Sequence, residues 1–68
     1  MISSIEKMEI ELIILNEKIK KATEFLEKEI ETPKTTNEIQ RIKLACQIEY
    51  MLNYASILKE RIEYDKTV

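Results

Sequence analysis

Thr32-Pro33-Lys34-Thr35-Thr36 is the one stretch of turn-like composition in the chain, and it divides the sequence into two halves. Proline cannot donate a backbone hydrogen bond, and it pushes the residue before it out of the helical region. Thr32 is therefore expected to end a first helix. Thr35 and Glu38 then read T-x-x-E, a capping box in which a hydroxyl and a carboxylate satisfy reciprocal orphan amides. Ser3 and Glu6 repeat the device at the start of the chain. Working outward from the turn at 32–36, two helices of nearly equal length are predicted, over about 4–31 and about 37–64. Each would be roughly 42 Å long. So short a connection favours an antiparallel hairpin, all-α and a single domain over 1–68.

The hydrophobic pattern supports this. Ile5, Met8, Leu12, Leu15, Ile19, Ala22 and Leu26 are spaced alternately three and four apart, a heptad seam. Leu44, Ile48, Met51, Ala55, Leu58 and Ile62 form the answering seam of the second helix. The two seams should face each other. Met8 and Met51 are seam residues, and among the glutamates only Glu29 falls on a seam position. Glu24, Glu27, Glu29 and Glu31 crowd the end of the first helix, against its dipole, which calls for a positive neighbour; Lys34 is nearest in sequence. Glu17 with Lys21 and Glu24 with Lys28 are i, i+4 pairs on a solvated face.

Matching the seams leaves apolar residues over. At about 100° per residue, Ile10 lies almost opposite the first seam, and Ile13 and Ile14 lie about 130° to either side of it. On the second helix Ile39, Cys46, Tyr50, Ile57 and Tyr64 fall in a narrow arc about 140° from the seam, bordered by Ile42 and Asn53 on one side and by Tyr54 and Arg61 on the other. A lone hairpin cannot cover these residues, and a 68-residue chain can ill sustain the exposure. A homo-oligomeric helical bundle is expected, with Ile10, Ile13, Ile14, Ile39, Ile42, Cys46, Tyr50, Ile57 and Tyr64 at the subunit interface.

Composition excludes much chemistry. The chain has no glycine and no histidine, and one cysteine. Phosphate-cradling loops and EF-hands need glycine, zinc sites and Ser-His or Cys-His nucleophiles need histidine or several cysteines, and a disulfide needs two. No metal and no cofactor is expected. Cys46 reads as a small interface hydrophobe. The net charge of −2 argues against nucleic acid as a partner, with Lys18, Lys20 and Lys21 the only basic cluster. The longest apolar run, Leu12-Ile13-Ile14-Leu15, is far too short for a membrane span. The N-terminus lacks a basic segment followed by an apolar one, so no signal peptide and a cytoplasmic location are expected. General acid–base catalysis needs a water-excluded carboxyl, which a hairpin does not offer; the chain does not read as an enzyme.

Binding is better supplied. Lys43, Tyr50, Tyr54 and Arg61 share a strip bordering the second apolar arc, and together with Arg41 they would line an oligomer interface. Tyrosine rings stack on bases and ribose, and arginine forks match phosphate. The same residues would equally serve as an aromatic interface rim with basic side chains lying over apolar surface.

The layout resembles a family of short helical-hairpin proteins of tailed phages, first catalogued among crAss-like phages. Glu11-Leu12, Lys18-Ile19 and Phe25-Leu26-Glu27 carry the resemblance in the first helix, and Gln47, Met51, Tyr54, Leu58 and Arg61-Ile62 carry it in the second. That family is similar in architecture to phage "sponge" hairpins, which form symmetric oligomers and sequester nucleotide immune signals. The resemblance implies a non-enzymatic anti-defence protein of the host cytosol that binds a cyclic oligonucleotide or an ADP-ribose derivative between subunits. Arg41, Lys43 and Arg61 would then neutralise phosphate, and Tyr50 and Tyr54 would stack or hydrogen-bond. The alternative is a protein–protein adaptor or inhibitor whose second apolar face docks a helix of a host protein.

Overall fold

The computed structural model describes residues 3–68; Met1 and Ile2, part of the N-terminal stretch read above for targeting, lie outside the described residues. It is an antiparallel hairpin of α1 (Ser4–Glu31) and α2 (Glu38–Thr67). Ser3 caps α1, its hydroxyl accepting from the Glu6 N–H at 3.1 Å. Glu6 does not return the bond to the Ser3 amide; its carboxylate accepts from the Ser3 hydroxyl. Thr32 closes α1, its N–H donating to Lys28 O at 2.9 Å.

The start of α2 differs from expectation. The capping box is made by Asn37 and Gln40, with both reciprocal bonds at 2.8 Å, and not by Thr35 and Glu38. The reason is a competitor across the turn. The Thr35 amide and hydroxyl are already committed to the Glu29 carboxylate, so the chain runs two residues further before a free side chain can cap. At the other end α2 continues to Thr67, past Tyr64, and Lys66 in its last turn reaches back to Glu9 of α1 at 3.1 Å.

The seams meet as the heptad spacing demands. Met8, Ile48, Leu58 and Ile62 are buried, and the other seam residues are half-buried. Met8, Leu58 and Ile62 form the core cluster at the open end, with Ile5 and Leu12 packed against it. Little else is covered. The molecule measures 47 × 19 × 14 Å, with a radius of gyration of 15.3 Å against about 11 Å for a compact chain of this length. Its accessible surface is 5665 Å², where a compact protein of 8.1 kDa would expose about 4,500 Å². The apolar residues of α1 lean to one side of the helix, whereas those of α2 lie on opposing sides and their directions nearly cancel. No helix among the described residues is long and apolar enough to cross a membrane.

Candidate functional site

The heptad that positions the core also positions what lies outside it. With Leu44, Ile48, Met51, Ala55, Leu58 and Ile62 held against α1, the opposite arc of α2 is turned to solvent. Ile39, Ile42, Tyr50, Ile57 and Tyr64 are all exposed, Tyr50 at 76%, and so is Cys46. Ile10, Ile13 and Ile14 are likewise exposed on α1. The residues assigned from the sequence to a subunit interface are thus uncovered in the single chain. Phe25, Ile30 and Leu52 join them, residues that the heptad pattern did not single out.

Two shallow grooves run along α2. The first, of 460 Å³, is lined by Ile42, Lys43, Cys46, Gln47, Tyr50, Met51 and Tyr54. The second, of 420 Å³, is lined by Tyr50, Asn53, Tyr54, Ile57, Leu58 and Arg61. Tyr50 and Tyr54 form the ridge between them. Of the residues proposed to bind a ligand, Lys43, Tyr50, Tyr54 and Arg61 are therefore brought to one continuous surface.

Arg41 does not stand with them. It is half-buried beside the turn, where its Nη1 donates to Thr36 O at 2.7 Å and to Thr36 Oγ1 at 3.3 Å. It lines neither groove.

Tyr54 has a partner that sequence reasoning did not find. Its hydroxyl donates to the Glu11 carboxylate across the hairpin. The bond, with some desolvation and the negative charge of Glu11, holds the phenol above its usual pKa, while Arg61 pulls the other way. The bond ties the ring, on the ridge between the two grooves, to α1. Glu11 carries no heptad signal, being one residue from the seam position Leu12.

The turn holds the other polar cluster. Glu29 is 5% exposed. One of its oxygens accepts from the Thr35 and Thr36 amides at 2.9 Å each, from the Thr36 hydroxyl at 2.8 Å and from the Thr35 hydroxyl at 3.2 Å. The Lys34 amide reaches both oxygens at 3.3 Å. The expected positive neighbour is thus a ring of backbone N–H groups, to which Lys34 contributes its amide. The Thr35 amide first, then the Thr36 hydroxyl, lower the Glu29 pKa from 4.5 to about 2, against the opposing effect of burial. Among the described residues no buried polar side-chain atom lacks a partner, and no group of three or more His, Cys, Asp and Glu side chains is placed to hold a metal.

Comparison with known proteins adds one finding. The Sequestin family model matches residues 3–64, nearly the whole hairpin, and the chain belongs to that family. No curated protein and no solved structure matches it.

Proposed function

We propose that this member of the Sequestin family works by sequestration, without catalysis: a homo-oligomer binds a small anionic nucleotide between its subunits and lowers its free concentration. The family name supports the sequestering role. The ligand class, a cyclic oligonucleotide or an ADP-ribose derivative used as an immune signal, comes from the resemblance to phage sponge hairpins. In a phage-infected cell such binding would be an anti-defence activity.

The observation that carries the reading is the pair of uncovered grooves that place Lys43 and Arg61 at either end of a Tyr50–Tyr54 ridge. Nucleotides demand two things of a protein, a flat apolar platform for the base and cations for the phosphate. Tyr50 and Tyr54 supply the first, Lys43 and Arg61 the second. The grooves are open on one side, and a second subunit would close them. Arg41, held by Thr36, is left to stabilise the turn.

Isothermal titration calorimetry against cyclic dinucleotides, cyclic trinucleotides and ADP-ribose derivatives tests the proposal. Binding at micromolar or better affinity is expected for at least one class, and Lys43→Ala with Arg61→Ala should abolish it. Absence of heat across the panel at tens of micromolar would overturn it. An oligomer that instead dissociates to bind a host protein would favour the adaptor reading.

A further inference from the structure

The linings of the two grooves are one heptad apart on α2, so α2 by itself offers much the same shape twice. What differs is the wall that α1 adds. The bond between Glu11 and Tyr54 fixes the register, because it sets these two residues side by side across the hairpin. In an antiparallel pair one heptad forward on α1 goes with one heptad back on α2, which sets Lys18 beside Gln47. Gln47 lines the first groove alone, whereas Tyr54 reaches into the second. The first groove is therefore flanked from α1 by an ammonium and the second by a carboxylate.

This wall belongs to a side of the hairpin whose charge the chain total conceals. On α1 that side comprises positions 4, 11, 18 and 25 and, next to them, 7, 14, 21 and 28; on α2 it comprises 40, 47, 54 and 61, then 43, 50, 57 and 64. All of these residues are exposed. They include six of the eleven Lys and Arg (Lys7, Lys18, Lys21, Lys28, Lys43 and Arg61) but one of the thirteen Asp and Glu, Glu11. Six positive charges thus stand against one negative on a chain whose total is −2. None of the six is in an ion pair among the described residues, where Lys66 pairs with Glu9. Charge segregated in this way draws anions to that side in spite of the acidic total.

From this we infer that α1 completes the ligand site and gives it a polarity: Lys18 joins Lys43 in holding a phosphate in the first groove, and Glu11 reserves the second for an uncharged part of the ligand. The inference rests on the sequestering reading for the nucleotide and on the hairpin itself for the polarity. Packed helix axes lie about 8 to 10 Å apart, so lysines leaning from α1 and α2 meet a phosphate seated over Gln47 from two sides. An ammonium suits that task, because it donates in three directions and needs no fixed plane. In the second groove Arg61 lies close enough to Tyr54 to oppose the effect of Glu11 on the phenol, and the carboxylate in turn offsets the guanidinium. Tyr54 has one hydroxyl proton and gives it to Glu11, so toward a ligand its oxygen can only accept. A ribose hydroxyl or a base amino group is the match for that end, and a second phosphate is not.

Pyrophosphate tests the polarity without a nucleotide. Titrated into the full chain and followed by backbone amide shifts in heteronuclear spectra, it should move Lys18, Lys43 and Gln47 more than Tyr54 and Arg61. Lys18→Gln should weaken its binding about threefold, as loss of one exposed charge contact does. Glu11→Gln should extend the shifts to Tyr54 and Arg61. Lys59→Gln, which removes an exposed charge from outside this side of the hairpin, should leave the binding as it was. Largest shifts at Arg61, no shifts at tens of millimolar, or equal weakening by Lys59→Gln would each defeat the inference. Calorimetry of Lys18→Gln against cyclic dinucleotides, cyclic trinucleotides and ADP-ribose derivatives separates it from the sequestering role. Pyrophosphate in the first groove with no heat from any nucleotide would uphold the polarity and remove the role. A nucleotide bound as tightly by Lys18→Gln as by the unmodified chain would uphold the role and sink the share of α1.

Discussion

Glu29 shows how one side chain can be legible in position and misread in partnership. Its place on the seam follows from the heptad count, three residues beyond Leu26. Its counter-charge does not, because backbone amides carry no sequence signature. The carboxylate is ionised in the fold down to about pH 2 and in the unfolded chain only down to about 4.5. A lowered pKa stabilises the fold above the unfolded value and loses that contribution as pH falls from about 4.5 through about 2. Thermal melts followed by circular dichroism should therefore show stability falling over that window. Glu29→Gln should melt lower at neutral pH and lose much of the acid-side slope. An unchanged slope would mean that other carboxylates set it. Tyr54 offers a second check at this scale. Its phenol is raised first of all by the bond to Glu11, so Glu11→Gln should bring its ionisation to lower pH in a phenolate absorbance titration.

At the level of the helices, the sequence is most readable where a pattern is redundant. Each seam repeats its signal over several turns, so both helices and their facing sides could be placed from spacing alone. The cap of α2 has no such redundancy. Thr35 with Glu38 and Asn37 with Gln40 both fit a capping pattern, and the choice falls to a competitor across the turn, Glu29, which takes Thr35 for itself. Asn37→Ala should accordingly cost about 1 kcal/mol in urea denaturation, as loss of a working cap does. Thr35→Ala should act through the Glu29 cluster and so lose its effect in the Glu29→Gln background, a coupling that a double-mutant cycle reads directly. Leu58, 1% exposed within the core cluster, should cost about 3 kcal/mol as Leu58→Ala. The site was legible in part for the same reason as the seams. Lys43, Tyr50, Tyr54 and Arg61 repeat at helical spacing, whereas Arg41 was drawn to the turn by Thr36, and Glu11 joined Tyr54 across a gap of 43 residues that no local pattern spans.

The whole molecule is a rod with more apolar surface than it can hide. The hairpin covers one face of α1 and leaves Ile10, Ile13 and Ile14 in water, Ile13 at 65% exposure. Isoleucines on the far side of α1 have no hairpin partner, because the seam already occupies the side toward α2. Burial of each would contribute roughly 1.5 to 3 kcal/mol, enough in concert to hold paired hairpins together. The mass in solution should therefore exceed that of one chain, and Ile13→Asp should lower it, because an ionised carboxylate cannot be buried there without a partner. Sedimentation equilibrium distinguishes the cases. A wild-type particle of one chain would overturn the self-association, and an Ile13→Asp variant of unchanged mass would place Ile13 outside the interface. The melting temperature should rise with chain concentration for the wild type, since folding and assembly share the same buried area, and the rise should be shallower for Ile13→Asp.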